Sequence, residues 1–247
     1  MYMSRVDASV ESGVKSELAH ARILITGLKS AAGVDIARAF ADLNARLVIH
    51  TNDLSPELIE LVAVLSQTAS EIRLHTQDLA SANAAATFAR SSAQAFGGLD
   101  AAINIAAISR GEMAAIRNDT DLEALIVAKL SPLAELTRII ANRMCVVLSE
   151  GLILNIFKMP HPRNSREAAV AALARTALAS MTSKEAQAWA GHGIRINAVA
   201  PRASAESAET GTSLTNDPEI AALALHLASR KGRALSGHIF DAGGMAS

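Results

Sequence analysis

The stretch from Leu152 to Arg202, LILNIFKMPHPRNSREAAVAALARTALASMTSKEAQAWAGHGIRINAVAPR, decides the fold. LILNIF is an apolar, Ile-rich run of strand length. From Ser165 to Ala190, Ala and Leu dominate with polar residues at helical spacing, which predicts one long helix. GIRINAVAP then alternates as a short strand that Pro201 stops. A strand, a long helix and a second strand make a β-α-β unit, with parallel strands and a right-handed crossover.

Working outward, the same alternation recurs. Arg22 to Thr26 (RILIT) predicts a buried strand that Gly27 breaks, and residues 32–43 place Val34, Ile36, Ala37 and Phe40 on one helical face. Arg46 to His50 predicts the second strand. Ser55-Pro56 is a helix start, a hydroxyl cap followed by proline, for a helix reaching Leu65. Ile72 to His75 predicts the third strand, followed by a helix to Phe96. The segment from Gly98 to Ala107 holds the fourth strand, and Asp121 to Met144 a long helix with a kink or break at Pro132. Asp217-Pro218-Glu219 opens the last helix, and Leu235 to Gly244 the final strand. The expected fold is α/β, a doubly wound Rossmann-type sheet of about seven parallel strands with helices on both faces.

A chain of 247 residues fits one such domain, expected over residues 21–247, after a flexible polar lead-in of residues 1–20 that lacks the apolar centre of a secretory signal. Aromatics are 3% of the chain, which argues against base-stacking platforms. A net charge of -1 without a dense basic run argues against nucleic acid and membrane surfaces as partners. No apolar run reaches the roughly 18 residues of a membrane span. The single cysteine, Cys145, excludes an intrachain disulfide, fits a reducing compartment and reads as a small hydrophobe at a helix end, so a cytoplasmic location is expected. The seven histidines show no metal-ligand spacing, and no metal is expected.

Several motifs, in the right order and spacing, resemble those of the short-chain dehydrogenase/reductase family. Thr26-Gly27-Leu28-Lys29-Ser30-Ala31-Ala32-Gly33 resembles its Thr-Gly-x-x-x-Gly-x-Gly turn, and Asp78-Leu79 its adenine-side pair. Asn104-Ile105-Ala106-Ala107 resembles Asn-Asn-Ala-Gly, Asn155-Ile156-Phe157-Lys158 resembles Asn-Ile-Ser-Ser, and Gly193 to Arg202 resembles Gly-Ile-Arg-Val-Asn-x-Val-x-Pro-Gly. The resemblance implies a site for NAD or NADP. Gly27, Lys29, Ser30 and Gly33 belong to the pyrophosphate loop, Thr51 to the cofactor-selecting position, and Asp78 and Leu79 to the adenine. Asn104 is expected to bond backbone across neighbouring strands. Thr51, Asn52 and Asp53 give no clear acidic reader for NAD, and Lys29 could meet a 2′-phosphate, a slight lean to NADP. Ala31 and Ala107 stand where the family has glycines.

The family's chemistry needs a Tyr, a Lys four residues later, a Ser thirteen residues before the Tyr and a helix Asn. The matching positions hold Ala171, Arg175, Lys158 and Lys129. The chain's one tyrosine is Tyr2, so no register restores the motif. Loss of the general acid should slow the family reaction by about 10²–10⁴-fold. The expected function is a catalytically impaired or non-catalytic family member with residual NAD(P)(H) binding. Lys129, Lys158, Arg175 and Arg202, with Arg163 and Arg166, make the old cleft basic. Either it takes an anion, or these groups are solvated and pair with Glu150 or Glu167. His161 is a spare acid–base group beside it. An active NAD(P)-dependent oxidoreductase using Lys158 or His161 stays open, as does an assembly subunit of an active family member. The resemblance also implies a homodimer or homotetramer built on the two long helices and the C-terminal strand region. Residues 202–216 leave almost no lid over a substrate.

Overall fold

Strands alternate with helices throughout, so each strand reaches its neighbour only by a crossover, and all the pairing is parallel. The computed structural model describes residues 13, 16–52, 54–79, 82–201 and 217–242. In chain order the elements are β1 (Arg22–Thr26), α1 (Ala31–Ala41), β2 (Arg46–His50), α2 (Pro56–Leu65), β3 (Glu71–His75), α3 (Ala82–Gln94) and β4 (Ala101–Ala107). They continue with α4 (Arg110–Ala115), α5 (Asp119–Val146), β5 (Gly151–Lys158), α6 (Ser165–Trp189), β6 (Ile194–Pro201), α7 (Asp217–Ala228) and β7 (Ile239–Ala242). The sheet has seven strands in the order β3-β2-β1-β4-β5-β6-β7. The order reverses between β1 and β4, which opens a crevice at the carboxyl ends of those strands.

Alternate residues of the central strands feed opposite cores. Ile23, Ile25, Leu47, Ile49, Ile103 and Leu154 pack with α1, α2 and α7 on one face. Leu24, Val48, Ala102, Ile153 and Ile196 pack with α3 and α5 on the other. A third cluster joins α5 and α6 to the carboxyl ends of β5 and β6 through Leu133, Phe157, Ala171, Leu178 and Ala198. Phe40, Phe88 and Phe157 are completely buried, each stabilising by about 2–3 kcal/mol. Arg195 and Asn197 tie β6 to the last turn of α7 and the chain after it. The Arg195 guanidinium donates to the carbonyls of Leu227 (2.7 Å) and Gly232 (2.8 Å). Asn197 Nδ2 donates to the Leu235 carbonyl at 2.9 Å.

Leu18 is buried, the Glu17 carboxylate accepts from the Arg230 amide, and the His20 amide donates to the Asn44 carbonyl, so the last residues of the expected lead-in pack on the domain. The break expected as one alternative at Pro132 does not occur, because α5 runs from Asp119 to Val146, 28 residues, with the proline inside it. Cys145 is only half-buried, and its Sγ lies 3.3 Å from His192 Nδ1. The lid segment, Arg202, Asp53, Tyr2 and the closing Gly243-Gly244 lie outside the described residues. Among the described residues no helix is long and apolar enough to cross a membrane, and no three His, Cys, Asp or Glu side chains cluster as a metal site.

Candidate functional site

A cavity of about 340 Å³ lies at the switch point between β1 and β4. The turn after β1 contributes Thr26, Gly27 and Lys29, and the end of β2 contributes His50, Thr51 and Asn52. Asp78 and Leu79 follow β3, and Ile105, Ala106 and Ala107 close β4. The outer wall is α5, through Ala128, Lys129, Pro132, Leu133 and Leu136. The walls are mostly apolar with a few convergent polar groups, the usual make-up of a small-molecule site.

Close approach of the chain to itself makes the β1–α1 turn. Gly27 has φ +74°, and a Cβ there would stand 2.9 Å from the Ile105 carbonyl oxygen. At Gly33 a Cβ would fall 2.5 Å from the Gly27 oxygen, so this glycine lets α1 start directly on the turn. Ser30 caps α1: its Oγ accepts from the Gly33 amide (3.1 Å) and donates to the Gly27 carbonyl (2.9 Å). Thr26 Oγ1 accepts from the Ile105 amide at 3.1 Å and holds β4 against β1.

His50 sits buried beside this turn. Its Nε2 donates to the Gln77 carbonyl (2.6 Å), and its ring lies 4.8 Å from the Phe88 ring. His75, its register neighbour on β3, meets Phe88 from another side at 5.5 Å. Burial pushes the His50 pKa down, only partly countered by the Gln77 hydrogen bond. Burial, then the nearby Arg73 charge, pushes His75 down as well. Both rings are therefore held toward the neutral form.

Across the crevice, three cations each meet a carboxylate. Lys129 of α5 pairs with Glu112 of α4 at 2.6 Å. Lys158, the last residue of β5, pairs with Asp217, the first of α7, with side chains only 10% and 8% exposed. Arg175 of α6 pairs with Asp241 of β7. Burial pushes the Glu112 carboxyl up, but hydrogen bonds from Lys129 and Ser109 outweigh it and leave the group below its ordinary range.

A family profile described as short chain dehydrogenase matches residues 21–215. The chain belongs to the short-chain dehydrogenase family. Galactitol 2-dehydrogenase of Agrobacterium fabrum is 28% identical over 180 residues, 72% of this chain and 68% of that protein. The L-tagatose-forming galactitol 2-dehydrogenase of Cereibacter sphaeroides is 28% identical over 244 residues, 89% of this chain and 92% of that one. A metagenomic short-chain oxidoreductase solved in complex with NADP matches the fold with a TM-score of 0.72 at 22% identity, over 94% of this chain and 100% of that chain.

In this chain Gly27, Lys29, Thr51, Asp78 and Leu79 are brought together around one cavity. Ser30 and Gly33 belong to the same β1–α1 turn, which they shape without lining the cavity. Asn104 is completely buried and its Nδ2 donates to the Asn155 side chain (3.0 Å), where bonding to backbone was expected. Asn155 Nδ2 donates in turn to Thr137 Oγ1 (2.9 Å), so the two asparagines bolt β4 and β5 to α5. Ala171 is completely buried in the third core cluster. His161 is exposed in the β5–α6 loop.

The reading of the basic cleft is also corrected. Lys129, Lys158 and Arg175 pair with Glu112, Asp217 and Asp241, not with Glu150 or Glu167. Distance in the chain hid these partners, which lie 17, 59 and 66 residues from their cations. One signal was legible and missed: Ser109-Arg110-Gly111-Glu112 is a capping box, and in the structure both of its reciprocal bonds form, placing Glu112 on α4 beside Lys129. His50 and Phe88 also went unread, because an apolar strand end and a helix interior carry no motif.

Proposed function

We propose that this short-chain dehydrogenase family member binds an adenine nucleotide in the β1–β4 crevice and does not transfer hydride by the family's tyrosine relay. The observation that carries the reading is Ala171, a methyl group completely buried where that relay needs a hydroxyl. The adenosine side of an NAD(P) site fits the residues present. Gly27 keeps open a turn that any Cβ would fill, and the cavity offers Thr51, Asn52, Asp78 and Lys29 around a mostly apolar wall. A neutral Thr51 with Lys29 on the same cavity favours NADP slightly over NAD. When bound, the nicotinamide of either cofactor supplies or accepts hydride. On this chain no hydroxyl-bearing or titratable group stands at position 171 to move the accompanying proton. Self-association through the two long helices is part of the same proposal, supported by Val127 on α5 and Leu173 on α6, 60% and 42% exposed.

The relatives named galactitol 2-dehydrogenase favour a second reading, a working NAD(P)-dependent polyol oxidoreductase with a different proton donor. One experiment separates the two. Purified protein is titrated calorimetrically with NADH, NADPH and ADP, then assayed with galactitol and NAD or NADP. Saturable nucleotide binding without turnover is expected. Turnover that falls on Lys158→Ala would establish the second reading, and no binding of any nucleotide at millimolar concentration would end both.

A further inference from the structure

The cavity covers only one half of a dinucleotide site. Every described residue lining it comes from β1, β2, β4, the chain after β1, β2 or β3, or α5. None comes from β5, β6, β7, α6 or α7, the elements on the far side of the switch point. That side is occupied by the protein's own charges. Lys158 at the end of β5 is closed against Asp217 at the start of α7, and Arg175 of α6 against Asp241 of β7.

We infer that the site takes an adenosine mononucleotide with a short phosphate chain, of the ADP class, and that the ion pairs Lys158–Asp217 and Arg175–Asp241 shut out the second, nicotinamide-bearing nucleotide. The inference rests on the nucleotide-binding reading above. Arg175 stands where the resemblance places the lysine that holds the nicotinamide ribose, and its guanidinium holds Asp241 instead. A ligand entering beside Lys158 must part a pair whose two side chains are both buried, stranding a charge in the protein interior. On the near side the one ion pair at the cavity wall, Lys129–Glu112, is partly exposed, with side chains 26% and 38% accessible, so parting it strands no charge in the interior. Leu79, Leu133 and Leu136 offer apolar surface for a base, Thr51 and Asn52 line the wall where a ribose would lie, and Lys129 can turn from its partly exposed partner Glu112 toward a phosphate. At about 340 Å³ the cavity is at the small end of ligand sites.

Calorimetric titration of the full chain with ADP, nicotinamide mononucleotide, NAD and NADP tests this. ADP is expected to saturate, nicotinamide mononucleotide to give no heat, and NAD to bind no more than threefold tighter than ADP. The paired variant Lys158→Ser with Asp217→Ser, which removes both charges together, is expected to raise NAD affinity at least tenfold while leaving ADP within threefold. NAD or NADP binding tenfold tighter than ADP in the unaltered protein would overturn the mononucleotide assignment and leave nucleotide binding standing. An unchanged NAD affinity in a folded paired variant would overturn the exclusion by this ion pair. Absence of binding by all four would remove the nucleotide reading itself.

Discussion

Lys158 Nζ donates to the Asp217 carboxylate, joining the last residue of β5 to the first residue of α7 in an ion pair almost wholly removed from water. Two charges at that depth are stable only together, since each alone forfeits its hydration without a partner. The pair is thus a clasp between the sheet and the last helix, at the strand end where the family places a serine.

Removing one partner should therefore be far worse than removing both. Lys158→Ala is expected to lower unfolding free energy by about 3 kcal/mol, because Asp217 stays buried and unpaired. Lys158→Met with Asp217→Leu should recover most of that loss. Urea denaturation at neutral pH measures both, and a single-variant loss under about 1 kcal/mol would mean that the pair is solvated.

Stability should fall on mild acidification. His50 and His75 have pKa values below the ordinary 6.5, chiefly through burial. Between the depressed native value and 6.5 the unfolded chain binds more protons than the native one, so stability rises with pH in that window. The contribution is complete above 6.5 and lost as pH drops toward the native values. Thermal melts from pH 8 to pH 5 should show a decreasing Tm, with a shallower slope in His50→Gln with His75→Gln. A flat profile in the unaltered protein would contradict buried neutral rings.

Periodicity and punctuation made the architecture legible: RILIT and RLVIH could only be buried strands, and Ser55-Pro56 and Asp217-Pro218-Glu219 marked the starts of α2 and α7. Gly27 was legible for the same reason, since a strand broken by glycine before a helix reads as a turn. The site was only half legible. Lys129, Lys158 and Arg175 could be located by spacing, but their pairing in the fold depended on Glu112, Asp217 and Asp241, which only tertiary packing brings near. Asn104 was misread because one strand cannot reveal that Asn155 faces it across the β4–β5 register.

The β1–α1 turn should tolerate no side chain. Gly27→Ala puts a Cβ 2.9 Å from the Ile105 oxygen at a positive φ, which costs about 1–2 kcal/mol in backbone strain before the clash is counted. Gly33→Ala drives a Cβ to 2.5 Å from the Gly27 oxygen, rigid backbone that cannot swing away. Both variants are expected to lower Tm and to abolish ADP binding, whereas Ala31→Gly, at an exposed first-turn position, should leave binding within threefold. Calorimetry on the folded variants checks the order, and retained ADP affinity in Gly33→Ala would move the phosphate away from this turn.

Rebuilding the family's side chains should fail as an enzyme. Ala171 is packed beside Val170, Ala174 and Leu178 with no exposed surface, so Tyr at this position must push into a filled core, at a cost of about 1–3 kcal/mol. Lys158→Ser in the same chain strips Asp217 of its cation, and the two losses fall on adjoining elements, β5 and α6. The triple variant Ala171→Tyr, Lys158→Ser, Arg175→Lys is expected to melt well below the parent protein and to show no absorbance change at 340 nm with galactitol and NAD. If it instead turned over while folded, the cleft would have kept its catalytic geometry and lost only its side chains, and Ala171 would then mark a recent loss on an intact frame.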